Sequence, residues 1–233
     1  MLKRSKIPPS TVSDTAGLVK NQLSDQLRSE ILNGSLKPGE RIVEGKWAAE
    51  FGVAQASIRE AINILAQAGF VTKVPGRSAR VINLTRTDVG HIYRLRGVIE
   101  GLAARLAARS PQDLNTLQAT MNAMRKSAIS GDREGLIDCD LQYHLALCEL
   151  SRNPYLIQHA GRILVPLFAF VRMRVSASGQ SASAWRKDLE AHQTIIDLIR
   201  EGEGEVAEQY VRSAIERFAK TAYDYWEKRE HAE

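Results

Sequence analysis

The stretch Trp47–Phe70 reads WAAEFGVAQASIREAINILAQAGF, and its apolar residues follow two short helical patterns separated by Gly52-Val53. Two short helices joined by a tight glycine-bearing turn predict a helix-turn-helix. In that motif the second helix lies in the DNA major groove, and its first turn faces the base edges. The residues that this turn offers are Gln55, Ala56, Ser57 and Arg59. The alternative is an ordinary helical hairpin within a core.

The sequence on either side of this stretch predicts the rest of a winged helix-turn-helix. Leu18–Asn33 places its apolar residues on one helical face, and Gly34 follows where a C-cap is expected. Residues 70–74 and 79–82 are short β-type runs on either side of a Pro-Gly turn, which predicts a hairpin. We expect this wing to reach a phosphate or the minor groove through Gly76, Arg77 and Arg80. The alternative for the wing is a solvated basic turn.

The net positive charge is confined to the first third of the chain. The chain has 32 Lys and Arg residues against 27 Asp and Glu residues, and the residues up to Thr85 alone account for the net charge of +5. A basic domain joined to a neutral one is expected when only the first meets a polyanion. Residues 1–16 are basic but lack a following apolar stretch, so they predict a disordered arm rather than a secretory signal.

Composition also argues against a membrane or extracellular protein. No run of about eighteen apolar residues is present, as a membrane span would require. The cysteines, Cys139 and Cys148, lie in one predicted helix at a separation that a disulfide does not bridge. We therefore expect a cytoplasmic protein without a membrane span.

Residues 85–233 predict an all-α domain. The first of its helices should have Thr87 or Asp88 as its N-cap. Each helix carries a single apolar stripe, so the helices must pack as an antiparallel bundle to bury those stripes. The expected fold is therefore mainly α, with a winged helix-turn-helix at 17–84 followed by the bundle. The predicted bundle helices are Asp88–Arg109, Gln112–Ser130, Arg133–Ser151, Pro154–Ser176, Ala184–Glu201 and Glu205–Glu227.

Three residues of the bundle could bind a metal ion. Asp140 and His144 are four residues apart, so their side chains leave the same side of one helix about a turn apart. His192 lies on a later helix. A carboxylate with two imidazoles suits Zn²⁺, Ni²⁺ or Mn²⁺. The alternative is a surface or capping pair without a metal.

The first domain resembles the DNA-binding domain of the GntR family of bacterial transcription regulators. The resemblance rests on L-R-S-E-I-L-N-G-S-L-K-P-G-E-R-I, A-A-E-F-G-V, I-R-E-A-I-x-x-L-A-x-x-G-F and G-R-S-A-R-V, which fall in order between Leu18 and Leu84. The family's recognition helix usually begins V-S-R-T-P-V-R-E-A-L. Arg59 matches the second arginine of that pattern, whereas Gln55 replaces the first. Since arginine prefers guanine and glutamine suits adenine, we expect an operator that departs from the common half-site, or weaker binding.

The second domain is similar to the FCD effector domain of the same family. The matching segments are L-R-x-x-I-E-x-x-A-A-x-L-A-A, D-x-x-x-H followed by S-R-N-P, and E-A-H-x-x-I-x-x-L-I-x-x-G. The resemblance implies a metal held by an Asp and three His, of which Asp140, His144 and His192 are present. The third histidine is expected around Ala214, so one divalent metal would have three protein ligands, with water or effector completing the shell.

The same resemblance implies an effector pocket in the bundle. We expect the effector to be a small carboxylate, and guanidinium groups would bind it in bidentate fashion. Arg96, Arg172 and Arg174 are the candidates. The alternatives are a helical salt bridge between Arg96 and Glu100, and projection of Arg172 and Arg174 to different sides of their helix.

Three functional classes follow from these patterns. The first is a ligand-responsive transcription regulator that binds a palindromic double-stranded operator as a homodimer. The second is a metal-dependent enzyme that uses Asp140, His144 and His192. The third is a DNA-binding protein whose bundle only dimerises. No nucleophile–base motif or phosphate-binding glycine loop accompanies the histidines, so we favour the regulator.

Overall fold

The computed structural model describes residues 15–73, 78–109, 113–176 and 186–230. Most of the predicted basic arm and the hairpin tip with Gly76 and Arg77 lie outside these residues. The described helices and strands are α1 (Thr15–Leu32), α2 (Glu44–Phe51), α3 (Gln55–Gln67), β1 (Val71–Thr72), β2 (Arg80–Val81), α4 (Arg86–Ala107), α5 (Asn115–Ser130), α6 (Arg133–Leu150), α7 (Pro154–Ser176), α8 (Arg186–Arg200) and α9 (Gly204–Glu230).

The chain separates into two compact units. One comprises Met1–Asn83 and Ala169–Ala177, and the other comprises Leu84–Phe168 and Ser178–Glu233. The mainly helical fold with a winged helix-turn-helix and a helical bundle, expected from the sequence, is confirmed.

The first unit is built around the packing of α1 against α3. Leu23 and Leu27 of α1 and Ile58, Ile62 and Leu65 of α3 are completely buried. The turn between α2 and α3 depends on Gly52, whose φ of 67° is a left-handed conformation that glycine adopts without a steric penalty. These contacts fix α3 by one face and leave the opposite face exposed.

A short antiparallel ladder forms the wing. Val71 pairs with Val81, and Thr72 pairs with Arg80. Arg41, in the segment before α2, makes a further bridge to Arg80, so the wing is attached to the helices on its other edge. The ladder buries Val71 and Val81.

The second unit is a bundle in which α4 lies centrally and packs against α6, α8 and α9. Glycines on α4 allow the close approach of α9. A Cβ added at Gly101 would lie 3.1 Å from the carbonyl oxygen of Glu208, whereas one added at Gly97 would meet only ordinary contacts at 3.8 Å and beyond. Of these two glycines, Gly101 therefore lies at the tighter contact with α9.

The start of α4 differs from the sequence expectation. Its N-cap is Thr85 rather than Thr87 or Asp88, and the helix begins at Arg86. The Asp88 backbone N–H donates to Oγ1 of Thr85 at 3.1 Å, and the Thr85 N–H donates to Oδ2 of Asp88 at 2.9 Å. This reciprocal capping box satisfies two donors that a start at Asp88 would leave without partners.

Within the described residues, α7 is long and apolar enough to span a membrane by length and composition alone. The segment Pro154–Arg174 has a mean hydropathy of 1.2, and half of its most apolar window is buried inside the protein. Leu164, Leu167 and Phe170 are each at most 1% exposed. Such burial is typical of a core helix, whose apolar residues pack against protein rather than lipid.

Candidate functional site

The exposed face of α3 carries the predicted base-reading residues. Gln55, Ala56 and Arg59 are exposed and Ser57 is half-buried at the start of the helix. The buried face holds the helix in the unit through Ile58. The first turn of α3 is thus presented to solvent, as a recognition helix requires.

Arg59 makes an ion pair with Glu44 that no pattern in the sequence indicates. Its Nη2 atom lies 2.8 Å from Oε2 of Glu44, and its Nε atom donates to the same oxygen at 3.1 Å. Glu44 is the first residue of α2. The two residues are fifteen positions apart, so no local periodicity connects them, and only the packing of α2 on α3 brings them together.

Gln55 also lies against the start of α2. A Cβ added at Gly45 would be 3.2 Å from Nε2 of Gln55, so the amide occupies the space that a larger residue would fill. The absence of a side chain at Gly45 therefore allows Gln55 to fold back over α2.

Arg80 is exposed, and its Nη1 atom donates to the carbonyl oxygen of Gly39 at 2.9 Å. This hydrogen bond attaches the strand to the turn before α2. The other predicted wing residues, Gly76 and Arg77, lie outside the described residues.

The three predicted metal ligands lie together in the bundle. Oδ1 of Asp140 is 3.3 Å from Nε2 of His144 and 3.0 Å from Nε2 of His192, and the two Nε2 atoms are 3.4 Å apart. Donor atoms bound to one ion at about 2.1 Å are separated by roughly 3.0 Å in octahedral and roughly 3.4 Å in tetrahedral coordination. The three atoms thus fit one face of a coordination shell.

Two residues of α4 lie behind this cluster. Oε2 of Glu100 is 2.5 Å from Nδ1 of His144, and Oε1 of Glu100 accepts from Nε of Arg96 at 2.7 Å. Glu100 is 1% exposed and Arg96 is 5% exposed. The sequence suggests the pair between Arg96 and Glu100 from their spacing, but it contains no signal for the contact of Glu100 with His144.

In this cluster, each buried charged group lies near a group of opposite charge. Burial alone would raise the pKa of Glu100, but Arg96 and His144 lower it to about 2. Burial would likewise raise the pKa of Asp140, but His144 and His192 hold it well below its usual range. For His144, burial acts to lower the pKa, and the carboxylates of Glu100 and Asp140 outweigh it and raise the pKa to about 9. Without a metal, these pKa shifts favour ionised carboxylates at Glu100 and Asp140 beside a protonated His144 ring.

Aromatic residues hold the histidines in place. The hydroxyl of Tyr143 donates to the carbonyl oxygen of His192 at 2.8 Å, and the two rings meet edge to face with centroids 4.5 Å apart. Phe168 lies beside His144, with ring centroids 5.7 Å apart. Cys148 is buried, and burial raises the pKa of its thiol, so it serves in packing rather than as a thiolate ligand.

The predicted effector arginines occupy different environments. Arg96 is buried and lies over the rings of Tyr93 and Phe168, 5.2 and 5.3 Å from their centroids. Arg172 is also buried, whereas Arg174 is half-buried with its guanidinium 5.4 Å from the Phe170 ring centroid. Ala214, at the position of the expected third histidine, is half-buried on α9.

Two clefts of the second unit differ in what lines them. One narrow cleft, with no room for a water molecule, is lined by Arg96 and Glu100 together with apolar residues of α4 and α7. A larger cleft of about 330 Å³ lies between the start of α5 and the end of α6 and includes Asp113, Glu149 and Arg152. None of the predicted site residues lines the larger cleft.

Comparison with protein families gives two matches. The family described as bacterial regulatory proteins, gntR family, matches residues 19–81. The FCD domain family matches residues 91–217.

Individual proteins resemble the chain over most of its length. The HTH-type transcriptional regulator YdhC of Bacillus subtilis (strain 168) is 29% identical over 82% of this chain and 84% of its own. A probable D-xylose utilization operon transcriptional repressor of Paenarthrobacter nicotinovorans is 27% identical over 83% of this chain and 84% of its own. The solved structure of E. coli McbR/YncC has a TM-score of 0.67 at 21% identity, covering 93% of this chain and 100% of that one, and it supports the fold.

Proposed function

Because the chain belongs to the GntR family of bacterial regulatory proteins and carries an FCD domain, we propose that it is a ligand-responsive repressor that binds a palindromic operator as a homodimer. The matched families and relatives are transcription regulators, so the alternative of a metal-dependent enzyme is set aside. A regulator of transcription works on the chromosome, and we therefore place the protein in the cytoplasm. The repressor assignment is supported by the name of the Paenarthrobacter nicotinovorans relative.

The observation that carries the DNA-binding part is the exposed first turn of α3 within a winged helix-turn-helix. In this mode Arg59 contacts a phosphate or a guanine edge, and Gln55 reads a base. Arg80 supports the wing through Gly39 and adds positive charge near the backbone. Arg77 and Gly76 complete the predicted wing contact. We expect the half-site to differ from the usual family sequence because Gln55 replaces an arginine.

A homodimer is supported by an exposed apolar stripe on α4. Leu95, Val98 and Leu102 are 46%, 48% and 38% exposed, and their spacing places them on one side of the helix. The buried side of α4 is occupied by Arg96, Glu100 and the glycines facing α9. A second copy of α4 would cover the stripe and give the two-fold symmetry that a palindromic operator demands.

The effector site that we propose lies at the cluster of Asp140, His144 and His192. These residues would hold one Zn²⁺, Ni²⁺ or Mn²⁺, because their three donor atoms fit one face of a coordination shell. The metal would supply a positive anchor for a small carboxylate in the positions that the protein leaves open. Arg96, which belongs to the same compact unit as the cluster, is the proposed further contact to that carboxylate.

Fluorescence anisotropy with DNA from upstream of the gene tests this function. Wild-type affinity should fall steeply as salt rises, since phosphate contacts release counterions. Arg59→Ala should weaken binding strongly, while Lys20→Ala, which removes an equal charge at an exposed position of α1, should change it little. DNA binding that does not depend on salt, or an equal loss of DNA affinity in the two variants, would show that the exposed face of α3 is not the recognition surface.

The same assay separates a ligand-responsive regulator from a protein whose bundle only dimerises. Sugar acids, amino acids and dicarboxylates are added in turn to the protein loaded with zinc or treated with chelator. A regulator should change its DNA affinity with at least one compound in the zinc-loaded state. If no compound of the panel changed the DNA affinity, the alternative of a DNA-binding protein whose bundle only dimerises would be favoured.

A further inference from the structure

We propose that Glu100 is a positioning residue for the metal site and sets which nitrogen of His144 faces the ion. This inference rests on the proposed metal binding and concerns a residue that is not itself a ligand. The two oxygens of the Glu100 carboxylate contact different residues. One oxygen lies 2.7 Å from Nε of Arg96, and the other lies 2.5 Å from Nδ1 of His144.

The position of Glu100 determines the tautomer of His144. A neutral imidazole carries one N–H and one lone pair, and the partner of one nitrogen decides the role of the other. Oε2 of Glu100 and Nδ1 of His144 are not aligned as a hydrogen bond, but the carboxylate charge 2.5 Å from Nδ1 favours a proton on that nitrogen and leaves the lone pair on Nε2. Nε2 is the atom that faces Asp140 and His192. Glu100 therefore points the coordinating atom of His144 into the cluster and increases its basicity.

Arg96 makes this arrangement compatible with burial. A buried carboxylate is costly unless it is paired, and Arg96 supplies the charge from one helical turn earlier on α4. Its guanidinium is fixed between the rings of Tyr93 and Phe168. An arginine that served only to pair with Glu100 could engage both oxygens, but here the second oxygen is directed at His144.

The contribution of Glu100 should be larger here than in a site with four protein ligands. Ala214 stands where a third histidine would be expected, so His144 is one of three protein ligands. If His144 were misoriented, only two protein ligands, Asp140 and His192, would stay in place.

Two variants test the role of Glu100 in zinc binding. The double variant Arg96→Met/Glu100→Met removes both buried charges together, a replacement that commonly preserves stability. It should keep the wild-type circular dichroism spectrum but bind zinc about 10- to 100-fold more weakly in competition with a chelator, as expected for a lost outer-shell partner. Glu100→Gln keeps a carbonyl acceptor and should weaken binding less. Glu149→Gln, an exposed residue on α6, is the matched control and should bind zinc as the wild type does.

Nitrogen NMR of the His144 ring in metal-free protein, at a pH high enough for the ring to be neutral, gives a second readout. The wild type should show a proton fixed on Nδ1, and the double variant should lose this signature. Wild-type zinc affinity in a folded double variant, or in Glu100→Gln if the double variant does not fold, would overturn the proposal. If the wild type binds no zinc but shows the fixed Nδ1 proton, the metal function fails while the control of His144 by Glu100 stands.

Discussion

Nη2 of Arg59, on the exposed face of α3, lies 2.8 Å from Oε2 of Glu44 at the start of α2. The side chain best suited to hold DNA is therefore already in contact with a carboxylate. Both groups are partly exposed, so the pair should contribute little to stability. Its consequence lies in binding, because a DNA phosphate must compete with Glu44 for the same guanidinium.

Replacement of Glu44 should strengthen binding to DNA. Glu44→Gln removes the competing carboxylate and its repulsion of phosphate, so we expect about a 3- to 10-fold gain in affinity at low salt. Titration by fluorescence anisotropy measures this gain. Glu50→Gln, at the other end of α2, is the control for the change in net charge. A loss of affinity in Glu44→Gln would show instead that Glu44 holds Arg59 in its productive orientation.

The choice of operator sequence should change with Gln55. Gln55→Arg should shift one position of each half-site from an A·T towards a G·C preference, because arginine pairs with the guanine edge in the major groove. Selection from a random DNA library, followed by sequencing, reads this directly. Gln67→Arg introduces the same residue at the last turn of α3 and should leave the selected sequence unchanged. If the wild type and Gln55→Arg selected identical sites, Gln55 would not be a residue that contacts a base.

Oligomeric state should depend on the α4 stripe. Val98→Glu places a charge at the centre of the exposed apolar side and should shift the protein towards monomer in sedimentation velocity. Ile129→Glu is the control, since Ile129 is 89% exposed but lies on α5 away from the stripe. A dimer that persists in Val98→Glu would place the interface elsewhere.

The packing of α4 against α9 should tolerate a methyl group at one glycine but not at the other. Gly101→Ala puts a Cβ 3.1 Å from the Glu208 carbonyl oxygen, and we expect a loss of about 1–3 kcal/mol in the free energy of unfolding. Gly97→Ala meets only ordinary contacts and should be neutral or stabilising by up to about 1 kcal/mol, because alanine is the better helix former. Urea unfolding of both variants measures the difference. Equal effects would mean that the helices adjust without cost.

Stability of the metal-free protein should decrease between pH 6.5 and 9. The pKa of His144 rises from 6.5 to about 9 on folding, so protonated His144 stabilises the fold fully below pH 6.5, and this contribution is lost as pH rises through 9. The midpoint of urea unfolding in chelator should fall over this range. The fall should be smaller in His144→Gln and unchanged in His159→Gln, which alters an exposed histidine on α7. A wild-type midpoint that is constant over the range would contradict the shift.

Much of the fold follows from local sequence patterns. The breaks at Gly52 and Gly131 fall where the helices end, because glycine adopts the left-handed conformation that ends a helix. The N-cap of α4 lies two or three residues before the position that its pattern predicts, because several adjacent residues can cap a helix and only the reciprocal bonds of Thr85 and Asp88 decide among them. The proximity of Asp140 and His144 follows from a four-residue spacing, which places both side chains on one helical face.

The sequence by itself therefore determined the winged helix-turn-helix, the helical bundle and the three residues that could bind a metal. These depend on helical periodicity, turn chemistry and recognisable motifs, all of which act over a few neighbouring residues. Tertiary structure alone decided that Glu44 meets Arg59 and that Glu100 lies behind His144. Each of those contacts joins two different helices, and it depends on the angle and depth at which the helices pack, which no local pattern specifies.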